Sequence, residues 1–330
     1  MAQRRTGMLV AMAMATLCCG AVFAATPAQA LSLYTQPKYA AFLADADTGE
    51  VLYSRQADEQ RFPASITKVM TLYLVFEQLD SGKLKLDDRV TMSKLAASQV
   101  PSKLGLPSGA TLSVDQAIRS LATKSANDVA VALAEKISGS VASFAELMTT
   151  RARQLGMRNS YFVNPNGLPD SRHVSTARDI FLLSQATIRH FPQYYTYYQQ
   201  KEFHFGKQVL VNHNNLLKTM PGVDGIKTGF TNAAGFTLSA SAVRDGRRLV
   251  AVVLGGPSSK ARDGNVESLL NAGFEVLEAR RGGQQIAVAD ILAEPGDLND
   301  QVLERLVEQG SAGAPAETAT PAAKATAALR

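Results

Sequence analysis

Apolar and polar positions divide the chain into a strand-rich start, a helical middle and a second strand-rich stretch. Tyr39 to Asp45 and Val51 to Ser54 are short apolar runs around Asp47-Thr48-Gly49-Glu50, which predicts a β-hairpin. Pro63 suits the start of a helix, and Ile66, Val69, Met70, Leu72, Tyr73 and Val75 give it a buried stripe. That helix runs to about Leu79 and ends near Asp80-Ser81-Gly82. Residues 83–112 are short and broken by Pro101, Gly105, Pro107 and Gly109. Helical patterns follow at Val114 to Lys124, Asn127 to Ile137 and Val141 to Leu155. Phe162 to Pro169 reads as a loop, and Ser175-Thr176 is a capping-type start for a helix through about His190, stopped by Pro192.

The character of the chain then changes. Glu202 to Phe205, Val209 to Val211, Gly225 to Thr228, Gly235 to Val243 and Leu249 to Leu254 predict strands, with Asp245-Gly246 as a hairpin turn between the last two. Val266 to Leu277 predicts a closing helix, Ile286 to Leu292 one more strand, and Leu298 to Val307 a short helix. No internal repeat is visible. Strand hairpin, helical middle, then strands and a last helix is an α+β order, in which both ends of the chain build one antiparallel sheet.

Composition changes this picture mainly at the termini. With 330 residues, 46% of them hydrophobic and 19% charged, the chain can bury a sizeable core as one large domain or two modest ones. Arg4 and Arg5, the apolar stretch Met8 to Ala25 and Ala28-Gln29-Ala30 predict a secretory signal peptide over residues 1–30. Thr6-Gly7-Met8 is a poor continuation of a twin-arginine signal. Cys18 and Cys19 both lie inside that segment, which leaves the mature chain without a disulfide framework or a thiol nucleophile. Removing the two arginines lowers the net charge from +5 to +3. A value that mild, without a basic block, points away from nucleic acid. No other segment is apolar enough to span a membrane. The expected organisation is a main domain over 31–282, a short extension over 283–309 and a disordered Ala/Pro-rich tail over 310–330.

Candidate chemistry sits in three clusters. Ser65 and Lys68 are three apart, so on a helix the hydroxyl and the amine share a face and the amine can activate the serine. The competing reading is an N-capping serine and a solvated lysine. Ser125 and Asn127, within Lys124-Ser125-Ala126-Asn127-Asp128, lie at a junction between helical patterns, where both can face one side or simply cap a helix. Lys227-Thr228-Gly229 reads as a strand whose glycine admits a close neighbour, or as an ordinary edge strand guarded by lysine. His173, His190, His204 and His213 have no aspartate spaced for a triad. No metal-ligand spacing or phosphate-cradling loop appears, so no cofactor is expected.

In this order the three clusters resemble the penicillin-recognising serine enzymes, with their Ser-x-x-Lys, Ser-x-Asn and Lys-Thr-Gly motifs. Pro63 to Thr71, Ser125 to Asp128, Asn164 to Leu168, Ser175 to Asp179 and Gly222 to Thr231 are similar to the D-alanyl-D-alanine carboxypeptidases, the low-molecular-mass penicillin-binding proteins. The resemblance covers about residues 35 to 280. It implies a β-lactamase/transpeptidase-like fold, an antiparallel sheet flanked by helices with a helical subdomain. It also implies Ser65 as nucleophile, a neutral Lys68 as base with Lys227 as the cation that keeps it so, and Ser125 as proton relay. Asn127 would hold Lys68 and the substrate amide, and the backbone N–H groups of Ser65 and Phe230 would form the oxyanion hole. Lys227 and Thr228, with Arg262 as a third partner and Gly229 beside them, would receive the terminal carboxylate.

The implied partners are peptidoglycan stem peptides and, as covalent inhibitors, β-lactams, in the periplasm or cell envelope. A D,D-endopeptidase would use the same residues, and a non-catalytic binding module would need no nucleophile. A β-lactamase often uses a glutamate in the loop after Ser-x-Asn, and Asn164 to Pro169 has none. Family members often carry a further β-rich domain and an amphipathic C-terminal anchor. Too few residues follow position 280 for such a domain, and the tail is not amphipathic, so a membrane anchor is not expected there.

Overall fold

Strands from both ends of the chain meet in one five-stranded antiparallel sheet, in a computed structural model that describes residues 38–292. The expected signal peptide with Cys18 and Cys19, the Leu298 to Val307 helix and the tail from Gly310 lie outside the described residues. The predicted first hairpin is β1 (Ala40–Asp45) with β2 (Val51–Arg55). Two small ribbons, β3 (Arg89–Thr91) with β4 (Thr111–Ser113) and β5 (Glu202–Phe205) with β6 (Gln208–Val211), lie apart from the main sheet. Strands β7 (Val223–Thr231), β8 (Gly235–Arg244) and β9 (Arg247–Gly256) complete the main sheet in the order β2-β1-β9-β8-β7. Asp245 and Gly246 take the left-handed conformation at φ +48° and +73°, as a tight hairpin between β8 and β9 requires.

Both faces of the sheet are covered, which explains why β1 and β9 read as unbroken apolar runs. Ala40, Phe42 and Ala44, with Val250, Val252 and Leu254, face the helical middle, where Phe42 meets Phe181 at 5.2 Å between ring centroids. Alternate residues Ala41, Leu43, Leu249, Ala251 and Val253 face the long Ser259–Arg281 helix through Val266, Leu269 and Val276. Strand β8 divides its duties. Leu238, Ala240 and Ala242 join that second cluster, while buried Thr237, Ser239 and Ser241 turn polar groups to the opposite face.

The helices of the middle follow the periodicity. They span Thr67–Asp80, Val114–Ala122, Asn127–Ser138, Val141–Gln154 and Ala177–His190. Thr176 caps the last of these by accepting from the Asp179 N–H at 3.1 Å. One expectation fails: Ile286 to Leu292 is not a strand but carries a single helical turn, Val288–Ile291. The Asp290 carboxylate accepts from the Ala287 N–H at 2.9 Å and closes that turn, while buried Val288 packs under the long helix. Helical turns at Pro192–Tyr195 and Leu216–Thr219 are too short to register as periodicity. The closing helix starts at Ser259, seven residues before its apolar stripe, because Ser258 caps it by accepting from the Ala261 N–H at 3.0 Å.

Candidate active site

The first cluster forms where the chain turns from Pro63 into the Thr67–Asp80 helix. Ala64 sits at φ +48° and Ala64–Ile66 forms a 3-10 turn, so Ser65 stands just ahead of the helix rather than within it. A left-handed alanine costs on the order of 1–3 kcal/mol, a strain characteristic of functional turns. Lys68 is fully buried on the first turn of the helix. Its Nζ lies 2.9 Å from Ser65 Oγ, 2.8 Å from Asn127 Oδ1 and 2.7 Å from the Asn166 carbonyl. Two of these partners can only accept. A neutral amine therefore spends both hydrogens on Asn127 and Asn166 and keeps its lone pair for the serine hydroxyl. Burial holds the Lys68 pKa well below its ordinary value, the Lys227 charge lowers it further, and Asp128 works against both.

The second cluster sits at the start of the Asn127–Ser138 helix. Ser125 is left-handed at φ +62°, buried to 4% exposure, and its Oγ has no hydrogen-bond partner among the described residues. Asn127 is fixed at both ends of its amide: Oδ1 accepts from Lys68, and Nδ2 donates to the Val100 carbonyl at 3.0 Å. The adjacent Asp128 carboxylate accepts from the Leu104 and Gly105 N–H groups, which holds the 100–105 loop against this helix.

The third cluster lies on β7, the sheet edge opposite β2. Gly229 passes so close to the Ser65 turn that a Cβ there would stand 2.6 Å from Thr237 Oγ1 and 2.8 Å from the Ser65 nitrogen. The close approach anticipated for this glycine is thus to Ser65 itself. A Gly229→Ala variant should lose about 1–3 kcal/mol of stability in denaturant unfolding, as overpacked cores do, because neither the backbone nor buried Thr237 can yield freely. Lys227 is buried and donates to the Thr228 carbonyl at 2.9 Å. Burial first, and the Arg262 charge second, bring its pKa down to about 7.

Arg262 is buried on the first turn of the Ser259–Arg281 helix, where NH1 donates to the Thr237 carbonyl and Nε to Asp263, both at 2.7 Å. Phe230 leaves half its surface open and packs its ring against Phe236, 4.3 Å between centroids. Lys227 and Arg262 thus bring buried positive charge together, and an anion placed beside them would relieve their mutual repulsion.

The structure thus brings Ser65, Lys68 and Asn127 into direct contact, places Gly229 against Ser65, and couples Lys227 electrostatically to both Lys68 and Arg262. Sequence reasoning passed over the Asn166 carbonyl. It comes from the Asn164–Leu168 loop, where Gly167 is left-handed at φ +82° and any Cβ would run into the Ala64 carbonyl. The punctuation of Asn164-Pro165-Asn166-Gly167 marks the loop, but a backbone acceptor leaves no signature in residue type. Among the described residues no group of three or more His, Cys, Asp or Glu could hold a metal ion, and no helix is long and apolar enough to cross a membrane.

Comparison with known proteins gives the family and the fold. A family model described as D-alanyl-D-alanine carboxypeptidase matches residues 28–258. D-alanyl-D-alanine carboxypeptidase DacF of Bacillus subtilis is 39% identical over 243 residues, which is 72% of this chain and 62% of the relative. The chain thus spans less than two thirds of that relative's length. Penicillin binding protein 5 from Haemophilus influenzae superposes with a TM-score of 0.69 at 38% identity, over 72% of this chain and 70% of the other. Penicillin-Binding Protein D2 from Listeria monocytogenes, in its cefotaxime-bound form, gives 0.65 at 33% identity, over 71% of this chain and 96% of the other. These neighbours share the antiparallel sheet flanked by helices, which is the transpeptidase-like fold the motifs imply. Clusters in the order Ser65–Lys68, Ser125–Asn127 and Lys227-Thr228-Gly229 on that fold, with a family match over most of the chain, place it in the D-alanyl-D-alanine carboxypeptidase family of serine peptidases.

Proposed function

We propose that this chain removes the terminal D-alanine from peptidoglycan stem pentapeptides through a Ser65 acyl-enzyme, and that β-lactams acylate the same serine. The observation that carries this reading is the buried Lys68 amine, poised between two obligate acceptors and the Ser65 hydroxyl. In the first step Lys68 takes the Ser65 proton as Oγ bonds to the carbonyl carbon between the two D-alanines. The negative charge that develops on the carbonyl oxygen is received by the backbone N–H groups of Ser65 and Phe230. The C–N bond then breaks, and the proton returns through the Ser125 hydroxyl to the departing amine. Water hydrolyses the resulting ester, again with Lys68 as base, and regenerates Ser65.

Lys227, Thr228 and Gly229 on β7, backed by Arg262, receive the terminal carboxylate, which selects a chain end over an internal amide. Asn127 keeps Lys68 oriented and offers the second Nδ2 hydrogen, the one not given to Val100, to the substrate amide. The Asn164 to Pro169 loop, where a β-lactamase often carries a hydrolytic glutamate, has none; its Asn166 carbonyl accepts from Lys68 and the Asn166 Nδ2 donates to Gln99 at 3.0 Å. We therefore assign a peptidase inhibited by β-lactams rather than a β-lactamase. The N-terminal segment directs this activity to the periplasm or cell envelope.

The deciding assay compares D-alanine release from a monomeric pentapeptide with splitting of a cross-linked dimer. Carboxypeptidase action predicts release from the monomer at least about tenfold faster, since a departing D-alanine brings its carboxylate to Lys227 and Thr228 without the bulk of a second peptide strand. Faster splitting of the dimer would make the enzyme an endopeptidase, and no turnover of either, without acylation, would make it a binding module.

A further inference from the structure

One buried titratable group plays no part in the mechanism above, yet it bonds to both walls of the Lys68 site. His173 is almost wholly buried, with its ring edge-on to Phe162 at 5.5 Å between centroids. Its Nδ1 accepts from the Val163 N–H at 3.1 Å, so the ring proton of the neutral imidazole resides on Nε2. Nε2 lies 2.8 Å from Thr67 Oγ1 and donates to it.

Those two partners belong to different elements. Thr67 opens the helix that carries Lys68, next to Lys68 in sequence and two residues after Ser65. Val163 leads into the loop whose Asn166 carbonyl accepts from Lys68 three residues later. Within that loop, Asn164 Oδ1 accepts from the Gly167 N–H at 2.7 Å, so a displacement at Val163 is passed on rather than absorbed. Thr71 Oγ1, which donates to the Pro165 carbonyl at 2.6 Å, ties the same two elements one turn further along the helix.

We propose that His173 is a positioning residue for the Ser65–Lys68 pair, setting the separation between the nucleophile turn and the loop that supplies the Asn166 carbonyl. This rests on the carboxypeptidase reading above. The residue does no proton transfer: burial is the dominant influence and keeps the ring neutral, outweighing the Asp170 carboxylate that favours a charged ring, while any charge on Lys68 would add to the effect of burial. A protonated ring would also set an N–H against the Val163 N–H, so the imidazole stays neutral and serves as a fixed two-ended spacer. A phenylalanine would fill the same space and keep the contact with Phe162, but would make neither hydrogen bond. That separates a packing role from a positioning one.

The test uses full-length His173→Phe, His173→Asn and Thr67→Val with a fluorescent penicillin, measuring pre-acylation affinity and acylation rate separately across pH. His173→Phe and Thr67→Val should acylate about 10- to 100-fold more slowly, the cost typical of a misplacement near 1 Å, with affinity within about twofold of wild type. Their acid limb should move to higher pH, because loosening either wall hydrates Lys68 and relieves the burial that chiefly lowers its pKa. His173→Asn restores an acceptor near Val163 and should recover part of the rate. Thr67→Val changes one buried atom only, so it reports even if the histidine variants fold poorly. Acylation within about twofold of wild type, with an unmoved acid limb, in both His173→Phe and Thr67→Val would reduce His173 to core packing. A wild-type protein that takes no label would remove this proposal together with the reading it rests on.

Discussion

A Ser65→Ala variant is expected to fold like the wild type and to take no covalent label from a fluorescent penicillin. Its D-alanine release should fall by roughly 10⁴-fold or more, as when the nucleophile of other serine hydrolases is removed. The loss is that large because Oγ is the atom that bonds to the substrate carbonyl, and nothing nearby can replace it. Among the described residues Ser65 offers the only hydroxyl within hydrogen-bond distance of Lys68 Nζ; the remaining two partners are amide oxygens. Ser125 Oγ is buried and makes no hydrogen bond among those residues, so in the resting site no base activates it for attack, and its proposed relay role begins only once the departing amine is in place. Stability should change little, by about 0.5–1.5 kcal/mol for one lost hydrogen bond at a partly exposed position. Gel fluorescence and intact mass check the outcome directly. A labelled Ser65→Ala protein with wild-type stoichiometry would move the nucleophile elsewhere.

Much of this arrangement was legible in residue order because it depends on side chains of particular types at fixed spacings. Ser65 and Lys68 meet because three residues bring side chains onto one face of a helical turn, a rule that survives the shift of Ser65 into a 3-10 turn. The hairpins and the helical middle follow from periodicity and from Asp245-Gly246. What residue type does not encode stayed out of reach. The Asn166 carbonyl could belong to any residue, and the tie of His173 to Val163 and Thr67 joins segments far apart in sequence. Ile286 to Leu292 reads as a strand in sequence because the single turn it carries, Val288–Ile291, is too short to distinguish the two periods. For Gly229 the sequence tells only that something approaches closely; the fold identifies it as the backbone nitrogen of Ser65.

Replacing Lys68 is the second change expected to stop the chemistry, and the choice of replacement tests why. Lys68→Ala should lower the acylation rate by about 10²–10⁴-fold, the usual contribution of a general base. It also strips the Asn127 and Asn166 oxygens of a buried donor, at about 1–3 kcal/mol for each acceptor left unmade. Lys68→Arg keeps hydrogen-bond donors but makes the charge permanent, and should be equally inactive at every pH, because a guanidinium stays protonated and cannot accept the serine proton. The wild-type profile follows from the same chemistry. Burial and the Lys227 charge depress the Lys68 pKa, so the neutral amine is lost as pH falls through that lowered value, which gives an acid limb. Lys227, with its pKa near 7 before substrate binds, loses the charge that attracts the carboxylate as pH rises, which gives an alkaline limb in kcat/KM. The two lysines interact, so the limbs report the pair rather than either group alone. Lys227→Arg fixes the second charge permanently and should therefore carry the alkaline limb to higher pH while leaving an acid limb in place. An alkaline limb unmoved by Lys227→Arg, or measurable acylation by Lys68→Arg, would overturn the division of labour in which one lysine works neutral and the other works charged.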